Sequence, residues 1–169
     1  MIGYSKNVAS VDTIEQLFQA YRNLPATVLL DGELQDRIWA STVGHFVLSE
    51  FAQSEVDFLW REVKPWLDNS TESDCEFVYA RVLKYNETCH IPRHVDSFSE
   101  DFQRENDLSV LIGMVSPQDY VGGSLIIEDN LFDLDIGDAV YYTYEHPHEV
   151  KKIKSGVRYV MNLRCKMVK

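Results

Sequence analysis

No apolar run in this chain approaches the ~20 residues needed to cross a bilayer, and residues 1–10 carry no apolar core of a secretion signal. The expectation is a soluble, cytoplasmic protein with no membrane partner. Cysteine is scarce and odd in number. Cys75, Cys89 and Cys165 lack the paired spacing of a thiolate metal site, so reduced thiols are expected in place of a disulfide framework. Positive charge is short as well: 16 Lys and Arg stand against 27 Asp and Glu, a net charge of −11. Such a chain repels a phosphate backbone and gains nothing from counterion release, which argues against a nucleic-acid partner. Lys151, Lys152 and Lys154 form a small basic run, read as a solvated strand edge that blocks sheet-to-sheet association. The sequence shows no internal repeat, low-complexity stretch or domain boundary.

What is present fits one domain over residues 1–169, with helical or mixed support over 1–70 and a β core over 76–167. A chain of 169 residues, 45% hydrophobic and 12% aromatic, can bury a sizeable core. Asp12 with Glu15 resembles a capping box, and Ile14, Leu17, Phe18 and Tyr21 follow at helical spacing; that helix should stop near Leu24, before Pro25. Residues 26–30 read as a strand, 31–32 as a turn, 34–40 as a helical stretch and 46–48 as a short strand. Val56, Leu59, Trp60, Val63 and Leu67 mark an amphipathic helix over 54–67, with Pro65 straining its last turn and a polar loop over 69–74. Trp39, Trp60 and Trp66 are read as packing. From there the chain turns β-rich, with strands expected over 77–85, 94–97, 108–115, 124–128, 139–144, 148–153 and 157–167, and a polar loop over 101–107. Short strands with turn signals between them fit a sandwich or barrel.

The chemistry lies in His94-Val95-Asp96, followed 52 residues later by His148 and ten further on by Arg158. Two histidines and one carboxylate hold a non-haem Fe(II) while leaving coordination positions open. Residues i and i+2 of an extended segment point to one face, so His94 and Asp96 can reach one metal. The third ligand must then come from a neighbouring strand. Arg158 is a planar, permanently charged fork suited to a carboxylate. A hairpin turning at Ser155-Gly156 would bring His148 and Arg158 into one cavity. His146 lies two positions from His148 and is a rival ligand or pocket residue; Arg164 is on the same strand face as Arg158 and is its rival. Tyr142 and Tyr144 are candidate cavity phenols. Cys89, near the proposed site, reads as a loop cysteine.

Five segments in order resemble the prolyl 4-hydroxylase-like 2-oxoglutarate/Fe(II) dioxygenases. They are Pro92-Arg93-His94-Val95-Asp96, Gly122-Gly123-Ser124-Leu125, Gly137-Asp138-Ala139-Val140, Pro147-His148-Glu149-Val150 and Gly156-Val157-Arg158-Tyr159. The resemblance covers residues 76–167. It implies a mainly β, α+β fold: a double-stranded β-helix, the cupin-like jelly roll, braced by N-terminal helices. It implies iron held by His94, Asp96 and His148, and 2-oxoglutarate gripped by Arg158 and contacted by Tyr85. With O2 as the other co-substrate and ascorbate in support, the implied reaction is C–H hydroxylation with release of succinate and CO2. A prolyl residue in a protein or peptide is the leading substrate, with residues 97–107 as a lid. A free amino acid or small metabolite is the runner-up. Arg158 and Arg164 echo the paired arginines of the nucleic-acid demethylase branch, but Arg158 follows His148 too soon for it. A non-catalytic metal-binding β-sandwich ranks last, since the ligand set is intact.

Overall fold

The computed structural model describes residues 1–22, 46–87, 89–96 and 108–168. The elements expected over 26–40, the residue Trp39, and the lid expected over 97–107 lie outside the described residues.

The chain opens with a strand the sequence did not suggest, β1 (Ile2–Ser5), and then α1 (Val11–Tyr21). The α1 cap is Ser10, two residues before the expected Asp12: its hydroxyl accepts from the Thr13 amide at 3.2 Å and donates to Glu62 at 3.1 Å. Arg22 ends the helix with its amide on the Phe18 carbonyl. After β2 (Phe46–Phe51) and a short 3-10 turn comes α2 (Asp57–Thr71), which runs past Pro65 and replaces the first half of the polar loop expected at 69–74. A proline inside a helix costs about 3 kcal/mol. Here Leu67 and Thr71 are buried beyond it, Trp66 meets the Tyr141 ring at 5.4 Å, and the Tyr141 hydroxyl donates to the Ser70 carbonyl at 3.0 Å. These contacts hold the last turn; Glu72 then closes it in the left-handed conformation.

Among the described residues ten strands follow: β3 (Asp74–Tyr85), β4 (Ile91–His94), β5 (Leu108–Gly113), β6 (Tyr120–Gly122), β7 (Leu125–Ile127), β8 (Asn130–Phe132), β9 (Ala139–Thr143), β10 (His148–Val150), β11 (Ile153–Gly156) and β12 (Arg158–Val168). They form a six-stranded sheet in the order β1-β9-β5-β12-β3-β2, a four-stranded sheet β4-β10-β7-β8, and the pair β11-β6, every named pairing antiparallel. This is the jelly roll braced by two helices.

Strand periodicity divides the molecule into two cores. Ala80 and Val82 on β3, Val110 and Ile112 on β5, Tyr141 on β9, and Met161 and Leu163 on β12 face the helices with Leu59, Val63 and Leu67 of α2. Their alternates, Leu83, Tyr85, Leu111, Val140, Tyr142 and Val160, face the interior of the roll against Leu125, Ile127 and Val150 of the smaller sheet. The larger sheet is thus covered on both sides, which is why all six residues of β5 are buried. On β12 the interior face is Arg158, Val160, Asn162 and Arg164. A polar stripe therefore runs down the inside of an apolar roll.

One expectation about connectivity is overturned. The strand expected over 148–153 breaks at Lys151-Lys152, and its second half, β11, pairs with β6 and not with β12. His148 and Arg158 therefore do not share a hairpin; they reach the interior from opposite sheets.

Candidate active site

His94 ends β4 and His148 begins β10, and the two are direct partners across that antiparallel pair. The strand expected over 94–97 stops at His94, yet the alternation continues: Val95 points outward at 40% exposure and Asp96 is buried. The Asp96 amide donates to the Tyr144 carbonyl at 3.1 Å, which fixes the backbone just past the strand.

The three side chains converge. Asp96 Oδ1 lies 3.3 Å from His94 Nε2 and 3.5 Å from His148 Nε2, and the ring centroids are 4.2 Å apart. Among the described residues this is the one group of three His, Cys, Asp or Glu whose ligand atoms all lie within 4.8 Å of one another. Ligand atoms about 2.1 Å from a metal and at right angles stand about 3 Å apart, so this spacing suits one face of an octahedron. Each ring turns the other nitrogen to a carbonyl two residues upstream: Nδ1 of His94 lies 2.9 Å from Pro92 O, and Nδ1 of His148 lies 2.9 Å from His146 O. With the proton on Nδ1, both Nε2 lone pairs face the cluster.

Electrostatics keep Asp96 ionised. Burial alone would raise its carboxyl, but the Arg164 guanidinium and the two imidazoles outweigh it and hold the group well below the usual carboxylate range. Arg164 Nη2 is 2.8 Å from Asp96 Oδ2. The Tyr142 ring lies 4.5 Å from the His148 ring, and burial, with the Asp96 charge, drives its phenol above the ordinary range. It stays protonated.

Arg158 and Tyr85 form a second group. They are register partners on β12 and β3, with the guanidinium 4.9 Å from the Tyr85 ring centroid. Tyr120 joins them from β6, and its phenol, like that of Tyr85, is raised by burial that Arg158 only partly offsets. Arg158 is 3% exposed, and its Nη1 has no hydrogen-bond partner. A buried cationic donor left open in this way is a place for an anion. Gly123, in the left-handed region, leaves the room: a Cβ there would stand 2.2 Å from Ile153 Cδ1 and 3.3 Å from Arg158 Cδ. Between the two groups, Asn162 donates to Ser109 Oγ at 2.9 Å.

The rivals are placed elsewhere. His146 sends Nδ1 to Glu128 at 2.7 Å and serves His148 through its carbonyl. Tyr144 offers its carbonyl to the Asp96 amide. Arg164 lies at the Asp96 end of β12, six residues from Arg158, about 20 Å along a strand. Cys89 is buried, with its carbonyl accepting from Ile153 at 3.0 Å. Tyr120 was missed: it sits three residues before Gly123 and only the pairing of β6 with β11 turns it inward. The donor set of two imidazoles and one carboxylate, with an open guanidinium in the same interior, fits a ferrous ion and a dicarboxylate co-substrate.

Comparison with known proteins agrees with that chemistry. Residues 80–163, about half of the chain, match the family model described as the 2OG-Fe(II) oxygenase superfamily. The chain belongs to that superfamily, whose members use Fe(II), 2-oxoglutarate and O2. Among curated proteins it is similar to a PKHD-type hydroxylase of Prochlorococcus marinus strain MIT 9515, 37% identical over 75 residues, covering 42% of this chain and 34% of that one. A PKHD-type hydroxylase of Crocosphaera subtropica is 32% identical over 87 residues, 48% of this chain and 39% of that one. The matched segments thus span little more than a third of those relatives. The fold is that of the viral collagen prolyl hydroxylase of Paramecium bursaria Chlorella virus-1, at TM-score 0.72 and 14% identity, covering 99% of this chain and 96% of that one. A Pseudomonas putida prolyl-4-hydroxylase aligns at TM-score 0.65 and 17% identity, covering 99% and 93%.

Proposed function

We propose that this protein is a 2-oxoglutarate- and Fe(II)-dependent dioxygenase that hydroxylates a prolyl residue in a protein or peptide. The observation that carries the reading is the meeting of both Nε2 atoms at one oxygen of Asp96. When bound, Fe(II) with 2-oxoglutarate and O2 supplies oxidation of a C–H bond to C–OH, coupled to decarboxylation of 2-oxoglutarate to succinate and CO2.

This chain's residues do the rest. His94 and His148 would hold the metal through Nε2, each ring oriented by its Nδ1 contact to a carbonyl. Asp96 binds as the carboxylate. Arg158, with a buried Nη1 left open and Tyr85 and Tyr120 beside it, would hold the far carboxylate of 2-oxoglutarate. Tyr142 covers one face of His148, and Leu125, Ile127 and Val140 line the interior and exclude water from the reacting centre. The prolyl assignment is supported by the likeness to prolyl hydroxylases, one of them described in complex with a hypoxia-inducible-factor peptide fragment.

The test is incubation of the purified protein with Fe(II), 2-oxoglutarate and a library of proline-containing peptides. The expected result is succinate release that depends on peptide, with one oxygen gained at a prolyl ring. Oxygen appearing only on free amino acids would overturn the prolyl assignment. No consumption of 2-oxoglutarate under any condition would overturn the enzyme.

A further inference from the structure

We propose that Arg164 is a positioning residue that ties one oxygen of Asp96 away from the metal and so sets how many coordination positions stay open. This rests on the reading of His94, Asp96 and His148 as ligands. The two oxygens of Asp96 have separate neighbours: Oδ1 faces both Nε2 atoms at 3.3 and 3.5 Å, whereas Oδ2 lies 2.8 Å from Arg164 Nη2. The pair is shielded, with side-chain exposures of 12% for Arg164 and 5% for Asp96.

The fold fixes the contact from the arginine's side. Arg164 is on the interior face of β12, opposite Ser109 on β5 and Tyr79 on β3. Cys165, the next residue, faces the other core by ordinary alternation, and the register shift beside Arg164 lies on β3, where Val78 is skipped. Tyr142, tilted against the His148 ring, is near the same guanidinium.

Carboxylates bind cations through one oxygen or through both. Chelation by both would require Oδ2 to leave a shielded cation. A site with three one-point protein ligands has three positions left; two go to a chelating 2-oxo acid and one to O2. Were Asp96 to chelate, one of these would close. Arg164 keeps it open, and it lies just outside the segment 80–163 shared with the superfamily.

The experiment counts water bound to Mn(II) in the whole protein, by water-proton relaxation and by spectral broadening in isotopically labelled water. The wild type should hold about three waters, Arg164→Met about two, and Arg164→Lys, whose long side chain still brings a cationic donor toward Oδ2, about three. Equal counts in the wild type and Arg164→Met would overturn the inference. A wild-type count of about two would do so as well, by showing that Asp96 already chelates. If Arg164→Met does not fold, a crystal structure of the wild-type Mn(II) form decides: Oδ2 must stay on Arg164 and off the metal. Failure of the wild type to bind Mn(II) at all would remove this inference together with the ligand reading; the other outcomes leave that reading standing.

Discussion

Replacing Arg158 by methionine should weaken 2-oxoglutarate binding while leaving the metal-free fold intact or firmer. The two effects have opposite signs because of where the residue sits. Arg158 is 3% exposed, and its Nη1 is buried without a partner. In the free protein it is therefore a cost; bound to a dicarboxylate it becomes half of a desolvated ion pair. Removing one partner of such a pair costs about 2–5 kcal/mol. At ~1.4 kcal/mol per decade, that is a rise of about 30-fold to several thousand-fold in the 2-oxoglutarate dissociation constant. Methionine keeps the aliphatic bulk beside Tyr85 and Gly123 Cα and brings no charge to bury. The assay is thermal denaturation of Mn(II)-loaded wild type and variant across a 2-oxoglutarate series, where a ligand at 100 times its dissociation constant stabilises by about 2.7 kcal/mol. The variant should melt no lower than the wild type without ligand and lose the ligand-dependent rise, with its Mn(II) affinity unchanged. An unaltered 2-oxoglutarate series would refute the assignment. A variant that simply melts lower would recast Arg158 as a structural residue.

Further outcomes follow from the same geometry. His94→Ala or Asp96→Ala should abolish substrate-coupled succinate formation, and full turnover by either would remove that residue from the metal site. Gly122→Ala places a Cβ 2.2 Å from the Lys152 carbonyl oxygen at φ +84°; a loss of about 1–3 kcal/mol, or roughly 3–10 °C in Tm, is expected, and an unchanged Tm would show that the β6–β11 connection can relax. The phenols of Tyr85, Tyr120 and Tyr142 are raised above their ordinary value by burial. Their contribution to stability is complete below the unfolded value of about 10 and is lost as pH climbs through the folded values. Near-ultraviolet titration should thus show these phenolates appearing only with alkaline unfolding; reversible ionisation near the ordinary phenol range in the folded protein would contradict their burial.

The site was legible in the sequence where it depends on local spacing, and obscure where it depends on distant register. His94 and Asp96 share a face by alternation alone, and that alternation holds although the strand ends at His94. A third group from a neighbouring strand is supplied by His148, directly opposite His94. The partner of Arg164 was out of reach, because it follows from the β12–β5 register and from a loop 68 residues earlier in the chain. The supposed hairpin at Ser155-Gly156 failed because a turn signal names a bend and not the strand that will pair beyond it. Within the fold, the long strands β3, β5, β9 and β12 read clearly through their apolar, β-branched and aromatic runs, whereas the three-residue strands β6 and β8 were not expected, being too short to show a period. β1 did not: Ile2-Gly3-Tyr4-Ser5 is short, and it is a strand only because the edge of β9 is there to receive it. Pro65 misled for the complementary reason, since its cost is local and the contacts of Trp66, Leu67 and Tyr141 that outweigh it are not.

The most direct measurement is an anomalous difference map at the iron edge from a crystal grown anaerobically with Fe(II) and 2-oxoglutarate. The account expects one peak, about 2.1 Å from His94 Nε2, His148 Nε2 and Asp96 Oδ1, with the far carboxylate of the co-substrate on Arg158. Iron bound elsewhere, or these three side chains apart with no metal between them, would contradict it.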